Sequence, residues 1–246
     1  GSFFSTGAYS AEYGQALSSV LSLNSLDFPI RRQTDLSLLT VGAGVSHTEV
    51  WERQALTANL NYTNLEPYMA LIPQNVRFSK APQGIGSEFL FRQKVSKRGL
   101  LKVFYAFQNS ELGVIRRPLG EDQDQHTQLK NNFHHLNLNY HQNLGKKHLV
   151  DGGMSYSDNR DDIDLNGLKV AQDQQLLHAK IRHRYFATAR LNLKFGAEVF
   201  VQNYREGLGS DFRKQEQIQT ALFAEGDYYF NSDLVVKVGL RTEAAE

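Results

Sequence analysis

The sequence predicts an all-β protein whose antiparallel strands cross a membrane as part of a β-barrel. Apolar and polar side chains alternate at every second residue over segments of about ten residues, which is the length of a tilted transmembrane strand. Long polar links also alternate with short ones along the chain. Hydrophobic residues make up 41% of the 246 residues, and no apolar run approaches the roughly 18 residues of a membrane helix. A helical membrane protein is therefore excluded. Alternation of lipid-facing and lumen-facing side chains accounts for the low mean hydropathy of −0.45.

The beginning of the chain has a different pattern. Residues 7–27 combine glycine and serine breaks with a Glu-Tyr-Gly turn and a short alternating run, Val20–Asn24, which is typical of a compact turn that leads into a strand. This stretch also closely resembles the end of the plug domain of TonB-dependent outer-membrane transporters, in the form found in the Bacteroidota. The resemblance is carried by Tyr9, Ser10, Ala11, Glu12, Tyr13, Gly14, Ala16, Ser18, Val20 and Leu23.

The resemblance implies a domain organisation. Residues 1–27 are expected to be the C-terminal end of a plug domain, and residues 28–246 about the first half of a plugged barrel of about 22 strands. About 22 strands of roughly ten residues each would use up the whole chain without any loop or plug. Half a barrel leaves open edges of unpaired backbone groups in lipid. We therefore expect the chain to be a fragment, or another segment to complete the cylinder.

The barrel strands are predicted from the two-residue period. In residues 190–203, for example, Phe195 and Val199 fall on one face, and Lys194 and Glu198 on the other. The predicted strands cover residues 35–48, 55–63, 86–96, 100–109, 134–142, 148–157, 174–185, 190–203, 217–230 and 234–243. The first of them should descend, so an ascending strand should precede it. Residues 17–26 or a short segment before Thr34 could supply that strand.

The links between the predicted strands alternate in length. The short links are residues 49–54, 97–99, 144–147, 187–188 and 231–233, and the long polar links are residues 64–85, 110–128, 158–173 and 205–216. Tight periplasmic turns and extended external loops are typical of outer-membrane barrels. A soluble sandwich would mix its loop lengths at both ends. The links therefore favour a membrane barrel.

A stripe of basic residues is the main candidate for a functional site. Lys180, Arg182 and Arg184 share one strand face, and Arg190 and Lys194 are predicted on the adjoining strand. This stripe could line the lumen and attract an anionic substrate. Alternatively, its charges pair with Glu198 and with carboxylates of the plug. The second interpretation is the favoured one.

No catalytic, metal or cofactor site is predicted, so the chain is not expected to be an enzyme. His134 and His135 are adjacent on a strand and point to opposite faces, so they cannot bind one ion together. Residues 158–167 are rich in oxygen ligands but lack the order of a calcium-binding EF-hand. A nucleophile elbow, a phosphate loop and a dinucleotide fingerprint are all missing from the sequence. The absence of cysteine excludes a disulfide scaffold and thiol catalysis.

The resemblance also implies a function and partners. It implies active uptake, at the bacterial outer membrane, of a scarce bulky nutrient such as a metal chelate, a cobalamin-like compound, a glycan or a peptide. The expected partners are outer-membrane lipid, the nutrient ligand and a TonB-type energy-coupling complex, which is reached through a segment upstream of Gly1. A surface lipoprotein is a further candidate partner. The net charge of +1 gives no reason to expect nucleic acid.

Two other classes of protein fit parts of the pattern. A small self-contained outer-membrane barrel with a structural or adhesion role would require the final strand to pair with residues 35–48. A soluble carbohydrate-binding β-sandwich would instead bury its apolar strand faces against a second sheet. In residues 190–203 that face consists of Leu191, Leu193, Phe195, Val199 and Val201.

Overall fold

A computed structural model describes residues 2–5, 9–14, 20–23, 28–74, 76–117, 123–209 and 211–246. Within these residues the strands are β1 Ser2–Ser5, β2 Val20–Leu23, β3 Gln33–Leu39, β4 Gly42–Val50, β5 Gln54–Asn64, β6 Arg77–Ser96, β7 Gly99–Arg116, β8 Gln125–Leu144, β9 His148–Leu165, β10 Leu168–Phe186, β11 Leu191–Leu208, β12 Asp211–Tyr229 and β13 Val235–Ala245. A short helix, α1 Glu66–Leu71, lies between β5 and β6. Across the described ranges, no helix is long and apolar enough to cross a bilayer.

The described strands form two sheets. Strands β3 to β13 form an eleven-stranded sheet in chain order, each strand antiparallel to its neighbours. Strands β1 and β2 pair only with each other. Residues 20–23 form β2 in the small sheet. The strand that precedes β4 in the large sheet is β3, most of which lies within the predicted segment 35–48 rather than before Thr34. The predicted fold class, antiparallel barrel strands preceded by a separate segment, matches this arrangement.

The stretch predicted as one strand over residues 35–48 is a hairpin instead. β3 ends at Leu39, which lies opposite Gly42 at the start of β4. The turn residues Thr40 and Val41 carry none of the glycine, proline or asparagine signals that usually mark a reversal. A two-residue period can continue through such a turn, and for this reason the sequence prediction missed it.

Two of the four predicted long loops are almost entirely β-structure. Residues 158–173 continue β9 and β10, and the turn between these strands is Asn166-Gly167. The φ angles of Asn166 and Gly167 are 54° and 87°, as the hairpin turn favoured by Asn-Gly requires. Residues 205–216 likewise continue β11 and β12. These strand ends are rich in charged and amide residues, so the regular apolar alternation fades although the backbone ladder continues.

The two faces of the large sheet have opposite chemistry. One face carries apolar side chains that are open to the surroundings: Ile181 is 56% exposed, Leu222 61% and Leu240 76%. The other face, called the inner face below, carries charged and amide side chains. Among the described residues the buried hydrophobic side chains are Ala55, Leu149, Ala221 and Phe223. The sheet therefore has almost no dry core of its own, and its apolar face is expected to meet lipid.

Replacement of Ile181 by arginine tests this assignment. Arginine on a lipid-facing barrel position near the membrane centre destabilises by about 2–4 kcal/mol, because the bilayer cannot solvate the charge. We expect Ile181→Arg to lower the urea midpoint of the complete protein in lipid vesicles accordingly. Gln174→Arg, on the same strand but on the inner face, is the matched control and should change the midpoint little. Equal effects of the two substitutions would contradict a lipid-facing surface.

Candidate functional site: the contact of residues 9–14 with the inner face

Residues 9–14, called the docking segment below, lie against the inner face of β10 to β13. The backbone N–H of Ala11 donates to Glu225 Oε2 at 2.7 Å. Ser10 Oγ lies 2.7 Å from Lys194 Nζ, and Arg241 donates to the Ala11 carbonyl oxygen at 3.4 Å. The segment keeps its shape through a turn in which the Tyr13 N–H donates to the Ser10 carbonyl oxygen at 3.0 Å. Its backbone and side chains are therefore held by residues far away in the sequence.

Glu12 is the centre of this contact. It is 4% exposed, and its carboxylate lies 2.7 Å from Arg182 Nη1 and 3.8 Å from Lys194 Nζ. Lys180 Nζ donates to the Glu12 carbonyl oxygen. Burial of Glu12 opposes its ionisation, but the hydrogen bond and charge of Arg182 and the charge of Lys194 outweigh that penalty and lower the pKa of Glu12 below its usual value. Glu12 is therefore an ionised carboxylate held in a cationic pocket.

Strand register brings the cations of this pocket together. Arg182 lies opposite Gly196, which lies opposite Phe223, which in turn lies opposite Arg241. Lys180 and Lys194 belong to the two adjacent rows of the same face, because side chains of every second residue share a face. The pocket therefore depends on four consecutive strands being in correct register.

Carboxylates of the wall itself also pair with these cations. Lys194 Nζ lies 2.8 Å from Glu225, and Lys180 Nζ lies 3.2 Å from Glu198. Arg182 lies 2.9 Å from Asp151. Arg241 pairs with both Glu198 and Glu243. We call this set of ionised residues on the inner face, from Asp151 to Glu243, the charged band. Loss of one partner from a buried pair costs about 3–5 kcal/mol, so the charged band tolerates little change.

An aromatic contact adds to the ion pairs. Lys180 Nζ lies 5.3 Å from the ring centre of Tyr13 and 5.2 Å from that of Phe223, which is a cation–π arrangement with one ring from each side of the interface. Burial, together with the charge and hydrogen bond of Glu12, raises the pKa of Tyr13 to about 12. The Tyr13 hydroxyl therefore stays neutral at physiological pH and adds no second negative charge beside Glu12.

Two glycines allow the close approach of the docking segment. A β-carbon on Gly239 would lie 2.8 Å from the β-carbon of Ala11, which is shorter than real side chains allow. A β-carbon on Gly14 would collide with the ends of Arg241 and Glu243. Glycine at these positions therefore lets the segment lie directly on the strands.

The predicted plug-motif residues fall in the docking segment where the structure describes them. Tyr9, Ser10, Glu12, Tyr13 and Gly14 belong to it, whereas Ala16 and Ser18 lie outside the described residues. The docking segment therefore contains Glu12, which is the single carboxylate of the motif.

The predicted basic stripe is only partly brought together. Lys180, Arg182 and Lys194 contact the docking segment. Arg184 lies on the same face and reaches Asp151 at 3.6 Å. Arg190 differs from the prediction: it lies in the turn before β11 with an exposed side chain, because the strand begins only at Leu191.

Sequence reasoning missed three participants, Asp151, Glu225 and Arg241. Each lies on a predicted strand, but a single carboxylate or guanidinium in an alternating segment gives no sign of its cross-strand partner. Only the register, which places Glu225 opposite Lys194 and Arg241 opposite Phe223, identifies them.

The candidate metal ligands do not converge. Across the residues described, no group of three or more histidine, cysteine, aspartate or glutamate side chains could hold a metal ion. His134 contacts the Tyr105 hydroxyl, and His135 contacts the Ser157 hydroxyl, each at 2.8 Å. The two adjacent histidines thus make separate contacts, as strand alternation requires. Residues 158–167 form part of β9 and its turn rather than an ion-binding loop.

Comparison with solved structures identifies the fold. The RagAB peptide importer in its closed-closed state superimposes with a TM-score of 0.58 at 8% identity, over 83% of this chain and 31% of that chain. Two variant structures of the ferric enterobactin receptor PfeA from Pseudomonas aeruginosa give TM-scores of 0.55 and 0.54 at 8% identity, over 87% of this chain and 38% of theirs. The chain thus spans about a third of the length of these proteins. No family model and no curated protein matches the sequence.

These neighbours are TonB-dependent receptors with β-barrel folds. At 8% identity the likeness concerns the fold alone. The predicted fold, a portion of an antiparallel β-barrel of the kind found in these receptors, is confirmed.

The lowered pKa of Glu12 predicts an acid-sensitive contact. Because the folded-state pKa lies below the usual value of 4.5, the stability from ionised Glu12 is fully present above pH 4.5 and is lost as pH falls through the lower, folded-state value. We expect Glu12→Gln to destabilise the complete protein by about 1.5–3 kcal/mol at neutral pH, since a charge-assisted hydrogen bond is weakened.

The measurement is urea unfolding of wild type and Glu12→Gln at neutral pH and at a series of pH values below 4.5, over which the difference in unfolding free energy should shrink. Glu52→Gln, in the exposed turn before β5, is the control and should match wild type at each of these pH values. A difference between wild type and Glu12→Gln that persists unchanged in acid would show that the carboxylate charge does not stabilise the contact.

Proposed function

We propose that this chain is part of a TonB-dependent transporter that takes up a scarce, bulky nutrient across the bacterial outer membrane. In this proposal residues 1–27 are the end of the plug, residues 28–246 are strands of the barrel around it, and the chain catalyses no reaction. The observation that carries the proposal is the network of ion pairs between the docking segment and the charged band. A barrel that only anchors or adheres has no need for an internal segment held in this way.

The arrangement of the ion pairs suits a plug, called the stopper below, whose docking segment must be both held in the barrel and released from it. Arg182 is shared between Glu12 and Asp151, and Lys194 between Glu12 and Glu225. Each cation therefore keeps a carboxylate partner when the docking segment leaves. The free energy needed for release is therefore lower than it would be if each cation had Glu12 as its single partner. In that case release would leave an uncompensated buried charge on the barrel wall.

The two alternative classes fit the structure less well. A self-contained barrel would need β13 to pair with β3 or β4, but in the described sheet β3 and β13 are at opposite edges. A β-sandwich would cover the apolar face with a second sheet. Phe195 on that face is 45% exposed, and among the described elements the extensive contacts are those between neighbouring strands. The transporter is therefore the better-supported function.

The comparison with solved structures does not identify the nutrient. One is named as a peptide importer and the other as a ferric enterobactin receptor. The proposed partners are therefore the lipid of the outer membrane, a bulky nutrient ligand and the TonB-type energy-coupling complex. This complex would bind through a segment upstream of Gly1. A surface lipoprotein remains a candidate partner.

Loosening the stopper tests the proposal. The double variant Arg182→Ala with Lys194→Ala removes two cations that hold Glu12, so the complete protein in a planar bilayer should conduct potassium chloride while wild type stays closed. Arg160→Ala with Lys214→Ala removes two exposed cations and is the charge-matched control, which should stay closed. The complete protein should also bind the isolated periplasmic domain of TonB. An open pore in wild type, or no binding of that domain, would favour a structural barrel.

A further inference from the structure

The inner face changes its chemistry abruptly above the charged band, on the side farther from the turn at residues 187–190. A row here is the set of residues that lie opposite one another on successive strands. Three successive rows cross β5 to β12: the first runs from Thr57 to Gln219, the second from Asn59 to Gln217 and the third from Asn61 to Gln215. We call these rows the amide band. Its single Asp, Glu, Lys or Arg residue is Glu88, although such residues make up 22% of the chain. The amide band is therefore selectively poor in charge.

The amide band offers two kinds of binding group. Asparagine, glutamine and serine side chains supply hydrogen-bond donors and acceptors side by side. Aromatic rings supply flat apolar surfaces. The Phe200 ring stacks on His178 with centres 3.9 Å apart, and Phe133 lies parallel to His135 with centres 6.2 Å apart. Phe133 and Phe200 are half-buried, so each ring keeps accessible surface on the inner face.

The cations next to the amide band already have partners. Arg92, one row below Thr57, is 6% exposed and donates to the Thr57 hydroxyl at 3.0 Å. Lys180, also one row below the amide band, pairs with Glu198, and Arg182 pairs with Glu12 and Asp151. An anionic chelate in the amide band would lose hydration and would have to compete with these existing partners for a cation, which is unfavourable for a buried charge. A peptide with free termini would meet the same penalty at its carboxylate end, since the band's single fixed charge, Glu88, is also negative. The Glu88 carboxylate in turn accepts a hydrogen bond from Asn59 at 3.2 Å.

We propose that the amide band binds an uncharged, hydroxyl-rich ligand, namely a neutral oligosaccharide, on its way to the plug. This inference rests on the proposed transport function. The hydroxyl groups of such a ligand both donate and accept hydrogen bonds, which matches the side-chain amides, and the C–H faces of its rings pack on Phe133 and Phe200. The amide band thus selects by hydrogen bonding and shape, whereas the charged band below it holds the stopper.

Calorimetric titration of the complete protein in detergent tests this assignment. The probes are neutral hexasaccharides of glucose and xylose, an anionic ferric catecholate and hexa-alanine. We expect saturable binding of a hexasaccharide and none of the other two probes. Phe200→Ala should weaken that binding about tenfold, because an apolar contact is lost. Phe195→Ala, on the same strand but on the opposite face, should leave it unchanged.

A second variant keeps the test valid if Phe200→Ala fails to fold. Gln202→Glu adds a charge to the middle row without removing a ring, and it should also weaken hexasaccharide binding. The inference is overturned if the catecholate or the peptide binds, or if neither hexasaccharide binds. The closed pore and the binding of the TonB domain do not depend on the ligand class. Their persistence would therefore show that the ligand class is wrong while the transporter proposal stands.

Discussion

The ion pair between Glu12 and Arg182 is the contact on which the organisation of this chain depends. A carboxylate that is 4% exposed is stable only with a charged partner in place, and here the partner sits on a strand about 170 residues away in the sequence. The position of Arg182 is set in turn by the register of β10 against β9 and β11. A local contact of the first residues thus requires the correct pairing of a large part of the sheet.

The same register also determines which side chains face outward. Because side chains alternate, a slip of one residue would move the apolar set inward and the charged set outward at once. Ile181 and Arg182 show this directly: the first is exposed on the apolar face and the second pairs with Glu12. Two independent penalties therefore oppose a register error, one from charges in an apolar medium and one from an unpaired Glu12. This dual constraint explains how a sheet with few buried hydrophobic residues can specify its pairing.

The sequence predicted the features that depend on local patterns and missed those that depend on pairing. Most strand segments, their apolar faces and the turn around Glu12 were predictable, because each depends on a pattern in consecutive residues. The hairpin at Thr40 and Val41 was not, because a turn without turn-forming residues leaves the two-residue period uninterrupted. The extension of β9 and β10 beyond residue 157 was missed because charged and amide residues interrupt the regular apolar alternation there. Asp151 and Glu225 were missed as partners because charge pairing across strands leaves no trace in a single sequence.

The separation of the charged band from the amide band bears on how the proposed transporter is driven. An uncharged ligand in the amide band creates no field that could compete for Arg182 or Lys194, which lie below it and are paired with carboxylates on two sides. Ligand binding alone therefore has no electrostatic means of releasing the docking segment. Release then requires work done on the chain itself, which an energy-coupling partner that pulls on an upstream segment can supply. In this proposal Asp151 and Glu225 keep Arg182 and Lys194 paired after release, so the docking segment can return to the same partners.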